Sequence, residues 1–221
     1  MFKKLFSYII PLNIFKQKSA ISQTLEVTWT DGELVLDSKN TNYSYGSLQR
    51  ILRKGLKFIG FERIQKMDKI LVLGVAGGSV IKTLVDEIHF KGKITGVEID
   101  KSIIAIANEY FHLDQIQNLE IIIDDAFEFV LKTKDKYDLV IIDVFQDVRM
   151  PNFLFEKFFI DRICFLLKSK GFILFNTMVL NDKQKQLNLE FFNAFEASKY
   201  FVKKLHKLEE LNELIIIESK F

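Results

Sequence analysis

Six short apolar runs, each continuous rather than alternating, constrain the fold of this chain more than any other feature. They lie in the segments ILVLG, KITGVEI, LEIIID, YDLVIID, GFILFN and LIIIES. A strand that is apolar on both faces belongs inside a parallel sheet with helices packed on each side. Helical spacings of apolar residues occur between the runs, at 79–88, 101–111, 126–133, 152–168 and 182–199. This alternation predicts a Rossmann-like, doubly wound α/β fold.

The end of the chain departs from that alternation. The last two predicted strands, YFVKKLHKL and LIIIES, are separated only by EELNE. A parallel crossover needs a dozen residues or more, so these two strands must pair antiparallel. We therefore expect a mostly parallel, seven-stranded sheet that finishes in an antiparallel hairpin.

The first 60 residues have a different pattern. Residues 24–37 alternate apolar and polar side chains around Asp31-Gly32, a strong hairpin signal. The segment YGSLQRILRKGLKFIG then predicts a helix that ends near Gly60. We expect an N-terminal unit of residues 1–60, with an amphipathic segment, a β-hairpin and a helix, followed by a Rossmann-like domain of residues 61–221.

The segment MFKKLFSYIIPLNIFKQKSA carries four lysines and no acid, with apolar residues between them. Pro11 and Asn13 interrupt it too early for a secretory signal peptide. It is expected to dock on the body of the protein or on a second subunit, and contact with a membrane surface is the alternative. No apolar run reaches the roughly 18–20 residues that a membrane-spanning helix needs.

Composition and single residues exclude several classes of function. A formal charge of +2 gives no reason to expect a nucleic-acid partner. The lone Cys164 excludes an internal disulfide, which suits a reducing cytoplasm. The histidines are scattered and form no metal-ligand spacing with Cys164 or a carboxylate, so no metal is expected.

Three of the ten glycines, Gly74, Gly77 and Gly78, cluster in GVAGG between the first parallel strand and a helix predicted to begin near Ser79. Small residues at such a junction let a phosphate or sugar approach the backbone, and the helix start offers unpaired N–H groups. A tight turn that only allows close helix packing is the alternative explanation.

Acidic residues end the strands that follow. Glu98 lies 24 residues after Gly74 and can accept both hydroxyls of a ribose. Asp100 is expected to cap the next helix. After the third strand, Asp125 is the candidate for an adenine amino group, while Asp124 is expected to cap the following helix.

Asp143 ends the fourth strand after four apolar residues. A carboxylate there is costly unless it is used or paired, so a role toward substrate is expected. Gly74, Glu98, Asp125 and Asp143 thus fall at four successive strand ends. Because ligands bind at the carboxyl edge of open α/β sheets, the four together predict a pocket.

These segments resemble the spermidine synthase-like group of the class I S-adenosylmethionine-dependent transferases, within the methyltransferase superfamily. The resemblance runs from about residue 24 to 178 and includes VLGVAGGSV, GVEIDKSIIAIANEYF, DDAFEFV, YDLVIIDVFQD and MPNFLFEKFF. The hairpin followed by NYSYGSLQRIL is also similar to that group's leader.

The resemblance implies a cofactor, S-adenosylmethionine or its decarboxylated form, and a small-molecule acceptor. The leader hairpin and the apolar N-terminus favour a homodimer. The resemblance implies roles for the following residues: Gly74, Ala76 and Gly78, with Gly77 between them, in the cofactor loop; Glu98 at the ribose; Asp125 and Ala126 at the adenine; Asp143 at the acceptor amine; Tyr45 in the active site; and Asp147 as a helper toward substrate.

The chain departs from the group's pattern at three places. Gly77 stands where spermidine synthases carry an Asp that favours the decarboxylated donor. Gly46 and Ser47 replace larger polar residues, and the segment between Asp143 and Asp147 is one residue longer and lacks an Asp-Pro pair. These departures favour methyl transfer to a small, amine acceptor. Aminopropyl transfer to putrescine is the alternative, and a non-catalytic adenosyl-binding relative is the second. The missing second βαβαβ half and the terminal hairpin argue against an NAD-dependent oxidoreductase.

Overall fold

The computed structural model describes residues 2–38, 42–146, 149–209 and 211–221. They form a four-stranded antiparallel sheet and a seven-stranded sheet. The larger sheet is mostly parallel and ends in an antiparallel hairpin, so the predicted fold class is confirmed. Within the described residues, no helix has both the length and the apolar character needed to cross a membrane.

The smaller sheet is built from the N-terminal residues. Its predicted hairpin turns at Asp31 and Gly32, which both have the positive φ that a tight two-residue hairpin turn requires. The sheet has two further strands, and the first of them, at residues 12–19, lies within the segment expected only to be amphipathic. The elements are α1 (Phe2–Phe6), β1 (Leu12–Ser19), β2 (Gln23–Thr30), β3 (Glu33–Ser38) and β4 (Asn42–Ser44), in the order β1-β2-β3-β4.

The segment before β1 contacts the body of the protein through Ser7, which is buried. Its Oγ accepts a hydrogen bond from the Gly32 N–H at 3.0 Å, and its carbonyl accepts one from the Asp31 N–H at 3.1 Å. The large apolar side chains around it are exposed, Phe2 and Ile9 most of all.

Two helices connect the small sheet to the large one, α2 (Gly46–Ile59) and α3 (Phe61–Gln65). One face of α2 is buried, and its Leu52 and Leu56 share a core with Ile70 and Leu174 of the large sheet. This helix therefore packs with the larger unit although it precedes residue 60.

The large sheet has the strand order β10-β11-β9-β8-β5-β6-β7. The chain moves outward from β5 through β6 to β7, then returns to the other side of β5 for β8 and β9, which creates a switch point between β5 and β8. The elements are β5 (Lys69–Leu73), α4 (Ser79–Lys82) with a π-helical turn (Thr83–Glu87), β6 (Lys93–Glu98), α5 (Lys101–Phe111), β7 (Leu119–Ile123), α6 (Ala126–Lys132), β8 (Tyr137–Ile142), α7 (Lys157–Phe165), β9 (Leu167–Met178), α8 (Asp182–Asn193), β10 (Tyr200–Leu208) and β11 (Asn212–Ser219).

Two predicted helices are shorter than expected. The pattern at 152–168 is split, because Glu156 has an extended backbone between a 3₁₀ turn (Asn152–Phe155) and α7. The pattern at 182–199 ends as a helix at Asn193. Apolar spacing alone did not show either break.

Gly74 connects β5 to the glycine loop at a point where the backbone has no room for a side chain. Its φ is +84°, and a Cβ there would lie 2.2 Å from the carbonyl oxygen of Asp143. Gly78 also has a positive φ, but its Cβ would meet the end of the Leu113 side chain, which is able to move. The two glycines form a matched pair.

We expect Gly74→Ala to lower the free energy of unfolding by more than Gly78→Ala does. Both variants incur the left-handed backbone cost of roughly 1–2 kcal/mol, but only Gly74→Ala also forces two backbone segments apart. Urea unfolding of both variants measures the difference. If both variants lost the same free energy of unfolding, the backbone at Gly74 would not be in tight contact with the carbonyl of Asp143.

Candidate active site

A cavity of about 390 Å³ opens at the carboxyl edge of the large sheet. This is the edge at which open α/β sheets bind their ligands. Six of the residues predicted from the sequence line it: Gly74, Ala76, Glu98, Asp125, Ala126 and Asp143. The structure therefore brings together the residues at all four predicted strand ends.

Glu98 holds the glycine loop in place. Its Oε2 accepts hydrogen bonds from the N–H groups of Val75 and Ala76, both at 3.1 Å, and its Oε1 accepts one from Asp100 at 3.0 Å. Burial raises the pKa of Glu98, while these backbone N–H groups act in the opposite direction. The Glu98 carboxylate thus fixes the backbone of the loop and also lines the cavity.

Asp100 joins the small sheet to the cavity. It caps α5 as predicted, because its Oδ1 accepts from the Ser102 N–H at 2.9 Å. Its Oδ2 accepts hydrogen bonds from the hydroxyls of Ser19 and Ser22. Burial acts to raise the pKa of Asp100, but these hydroxyls hold it below its ordinary value. The turn between β1 and β2 is thereby fixed at the cavity, where Ile21 and Ser22 form part of the wall.

The capping roles of Asp124 and Asp125 are the reverse of those predicted. Asp125 caps α6, since its Oδ1 accepts from the N–H groups of Phe127 and Glu128 at 2.8 and 3.3 Å. The helix begins at Ala126, so the residue directly before it takes the cap position. Asp124 accepts instead from the Asp125 N–H at 2.9 Å. Both acids line the cavity. The contact of Asp125 with adenine stays a prediction, because a side chain that caps the helix is still able to face the cavity.

Asp143 lies at the switch point, beside Gly74. Its Oδ1 accepts a hydrogen bond from Nδ2 of Asn176 at 2.8 Å. Burial, opposed by that bond and reinforced by the negative charge of Glu98, raises the pKa of Asp143 to about 7. A carboxyl that is half ionised near neutral pH is well suited to exchange protons with a substrate.

Tyr45, Gly77 and Gly78 are not among the residues that line the cavity. The Tyr45 ring stacks on Phe111 with 4.4 Å between ring centroids, and burial and the nearby charge of Asp86 raise its pKa. The ring thus packs onto α5, and a role for Tyr45 in the active site stays a prediction. Asp147 lies outside the described residues.

Gly77 faces the end of the small sheet. A Cβ at this position would lie 2.8 Å from Cβ of Ser44 and 3.3 Å from Cε2 of Tyr45. The Ser44 hydroxyl oxygen also accepts a hydrogen bond from the Ser79 N–H, at the start of α4, at 3.2 Å. The direction in which a side chain at position 77 would point is thus already filled.

The segment 145–155 was expected to select the acceptor, but sequence reasoning missed the part of the cavity wall that β9 and the start of β11 form. Asn176 follows four apolar residues at the end of β9, so the signal that identified Asp143 could have found it. Asn212 and Leu211 begin an antiparallel strand, where no such signal exists. The residues lining this wall are Val144, Phe145, Gln146, Pro151, Phe153, Asn176, Met178, Leu180, Leu211 and Asn212.

Residues 49–193, more than half of the chain, match the spermine/spermidine synthase domain. The chain belongs to this family. The match includes the glycine loop and all four strand ends that meet at the cavity.

Individual relatives carry two kinds of name. A probable polyamine aminopropyl transferase of Bifidobacterium longum is 30% identical over 121 residues, covering 55% of this chain and 26% of that protein. An eEF1A lysine and N-terminal methyltransferase homolog of Drosophila melanogaster is 33% identical over 78 residues, covering 34% of this chain and 11% of that protein. The chain thus spans well under half the length of these relatives.

The crystal structure of spermidine synthase from Thermotoga maritima superimposes with a TM-score of 0.69 at 17% identity, covering 95% of this chain and 73% of that one. The likeness extends over both sheets and establishes the shared fold.

We expect Asp143→Asn to stabilise the protein at alkaline pH. A carboxyl whose pKa rises from 3.8 to about 7 on folding is costly to ionise in the folded state. Below pH 4 the carboxyl is protonated in both the folded and the unfolded protein, so the cost is absent. It grows as the pH rises to 7 and levels off about one pH unit above, at roughly 4 kcal/mol.

Urea unfolding of Asp143→Asn and of the unsubstituted protein at pH 4 and pH 8 measures this effect. The gain in the free energy of unfolding should appear at pH 8 and be small at pH 4. A gain that is equal at both pH values would exclude ionisation of Asp143 as its cause.

Proposed function

We propose that this protein transfers a methyl group from S-adenosylmethionine to an amine acceptor. The observation that carries the proposal is a carboxyl whose pKa burial raises to about 7, Asp143, in the same cavity as a glycine loop and two further strand-end acids. Membership of the spermine/spermidine synthase domain family supports a donor of the adenosyl sulfonium class.

The adenosine half of the donor fits the cavity over β5, β6 and β7. Gly74, Ala76 and Ala126 have little or no side chain, which leaves space for a sugar and a purine ring. Glu98 supplies carboxylate oxygens beneath the loop for the ribose hydroxyls. Asp125 uses Oδ1 for its helix cap, so Oδ2 is the atom assigned to the adenine amino group.

The reaction is a direct displacement on carbon. The lone pair of the acceptor nitrogen forms the new C–N bond as the C–S bond breaks, and sulfur departs with that bonding pair as a neutral thioether. An alkylamine with a pKa near that of lysine, about 10.4, is cationic at neutral pH and must first lose a proton. Asp143 accepts that proton, and alignment of nitrogen, carbon and sulfur supplies much of the rate, as much as about 7–11 kcal/mol.

The packing at Gly77 supports the intact donor over the decarboxylated one. Decarboxylated S-adenosylmethionine offers an ammonium group without a carboxylate, which an acid at position 77 would favour. Here position 77 has no side chain, and Ser44 and Tyr45 occupy the space that one would need. The loop therefore has no acid at position 77 to select the decarboxylated compound.

Aminopropyl transfer to putrescine is the second candidate. It is favoured by the family itself and by the name of the Bifidobacterium relative. It uses the same attack at carbon and the same proton acceptor, so only the donor distinguishes the two reactions.

The test is to incubate the protein with each donor, labelled in the transferred group, and a panel of amines. We expect methyl transfer, and a loss of at least 100-fold in kcat/KM for Asp143→Asn. Asp161→Asn, an exposed acid paired with Lys157, is the matched control and should leave the rate unchanged. Transfer only from the decarboxylated donor would establish the second candidate, and donor binding without transfer to any amine would identify a non-catalytic relative.

The barrier to an acid at position 77 is tested by a double-mutant cycle. Gly77→Asp alone should destabilise the protein, since its Cβ meets Ser44 at 2.8 Å. Combined with Ser44→Gly, which removes that Cβ, it should recover part of the loss and shift donor preference toward the decarboxylated compound. Thermal unfolding and donor titration measure both effects, and independent, additive losses would contradict the steric explanation.

A further inference from the structure

The cavity divides into two halves along the sheet edge. The half over β5, β6 and β7 takes adenosine under the proposed function, on which the present inference rests. The other half begins at Asp143, directly after β8, and continues over Asn176 on β9 to Asn212 on β11. Neighbouring strands lie about 4.8 Å apart, so this second half extends roughly 10 Å beyond Asp143.

Asp143 is the only titratable side chain that lines the second half within the described residues. The far wall is apolar: Met178 ends β9, Leu180 lies two residues beyond it, and Leu211, which directly precedes β11, lies beside them. An acceptor therefore meets one anionic group at one end and apolar side chains at the other.

The two amides between these ends are already engaged with each other. Nδ2 of Asn176 donates to Asp143 at 2.8 Å, and Nδ2 of Asn212 donates to Oδ1 of Asn176 at 3.1 Å. Asn176 is fully buried, so its oxygen has little access to further donors. The chain of amides orients the Asp143 carboxylate and leaves the middle of the wall poorly suited to a second cation.

We propose that the acceptor is a primary amine with a single cationic group on an apolar body, such as an alkyl or aryl amine, rather than a diamine. The ammonium group contacts Asp143, and the apolar body packs against Met178, Leu180 and Leu211. Leu180 and Leu211 are partly exposed, so a second ammonium at the far end would keep part of its hydration. It would lose the rest against these side chains and gain no carboxylate among the described residues, which is costly.

Two matched pairs of amines test this without any dependence on turnover. Hexylamine and hexamethylenediamine share a carbon chain and differ by one ammonium group, and so do butylamine and putrescine. Titration calorimetry with the protein, both alone and saturated with S-adenosylhomocysteine, gives the affinity for each amine. We expect each monoamine to bind at least tenfold more tightly than its diamine, and equal or tighter diamine binding would overturn the proposal.

A variant pair tests the geometry. Leu211→Glu places a carboxylate at the far end, and Leu211→Gln is its neutral control. Leu211 is 44% exposed at the rim, so neither change removes a buried core residue. We expect Leu211→Glu, but not Leu211→Gln, to tighten hexamethylenediamine binding at least tenfold. No change with either variant would mean that the acceptor does not reach this wall, and the proposal would fall.

Failure of this inference and failure of the proposed function give different results. A protein that binds S-adenosylhomocysteine but prefers diamines keeps the donor site and loses the acceptor class. If that preference disappears in Asp147→Asn, Asp147 is the second carboxylate and the proposal is overturned by a named residue. A protein that binds no adenosyl compound contradicts the proposed function, whatever its amine preference.

Discussion

The contact between the ends of β5 and β8 is the constraint on which the rest of the site depends. In register, Leu73 of β5 pairs with Val97 of β6 and with Ile142 of β8, so the residues that follow all emerge at one edge. Gly74 then passes so close to the Asp143 carbonyl that no side chain is tolerated. The glycine loop, Glu98 and Asp143 share one cavity because these three strands end together.

The close approach of these strand ends also explains why the pKa of Asp143 is raised. Asp143 is placed where burial and the charge of Glu98 both disfavour its ionised form, and one amide hydrogen bond from Asn176 offsets this only in part. The fold thus tolerates a destabilising carboxyl at the position where a proton acceptor is useful. Functional sites often contain residues of this kind, which lower the stability of the folded protein.

The small N-terminal sheet acts on the cavity at two points. Through Ser19 and Ser22 it binds Asp100, which fixes the turn that forms part of the wall. Through Ser44 it fills the space beside Gly77 and hydrogen-bonds the start of α4. An element remote in sequence therefore fixes the shape of the glycine loop, because Ser44 of the small sheet packs against it.

The sequence by itself determined the fold class and the strand ends, because strands buried on both faces need uninterrupted apolar runs and a polar residue that ends such a run stands out. Glu98, Asp125 and Asp143 were found in this way, and Gly74 was found from the cluster of small residues that follows β5. Only the tertiary structure decided that Tyr45 packs onto Phe111, that Asn212 and Leu211 reach the cavity, and that Ser44 closes the space at Gly77. Each of these contacts joins segments far apart in the chain, and their partners are set by sheet order and packing, which no local pattern records.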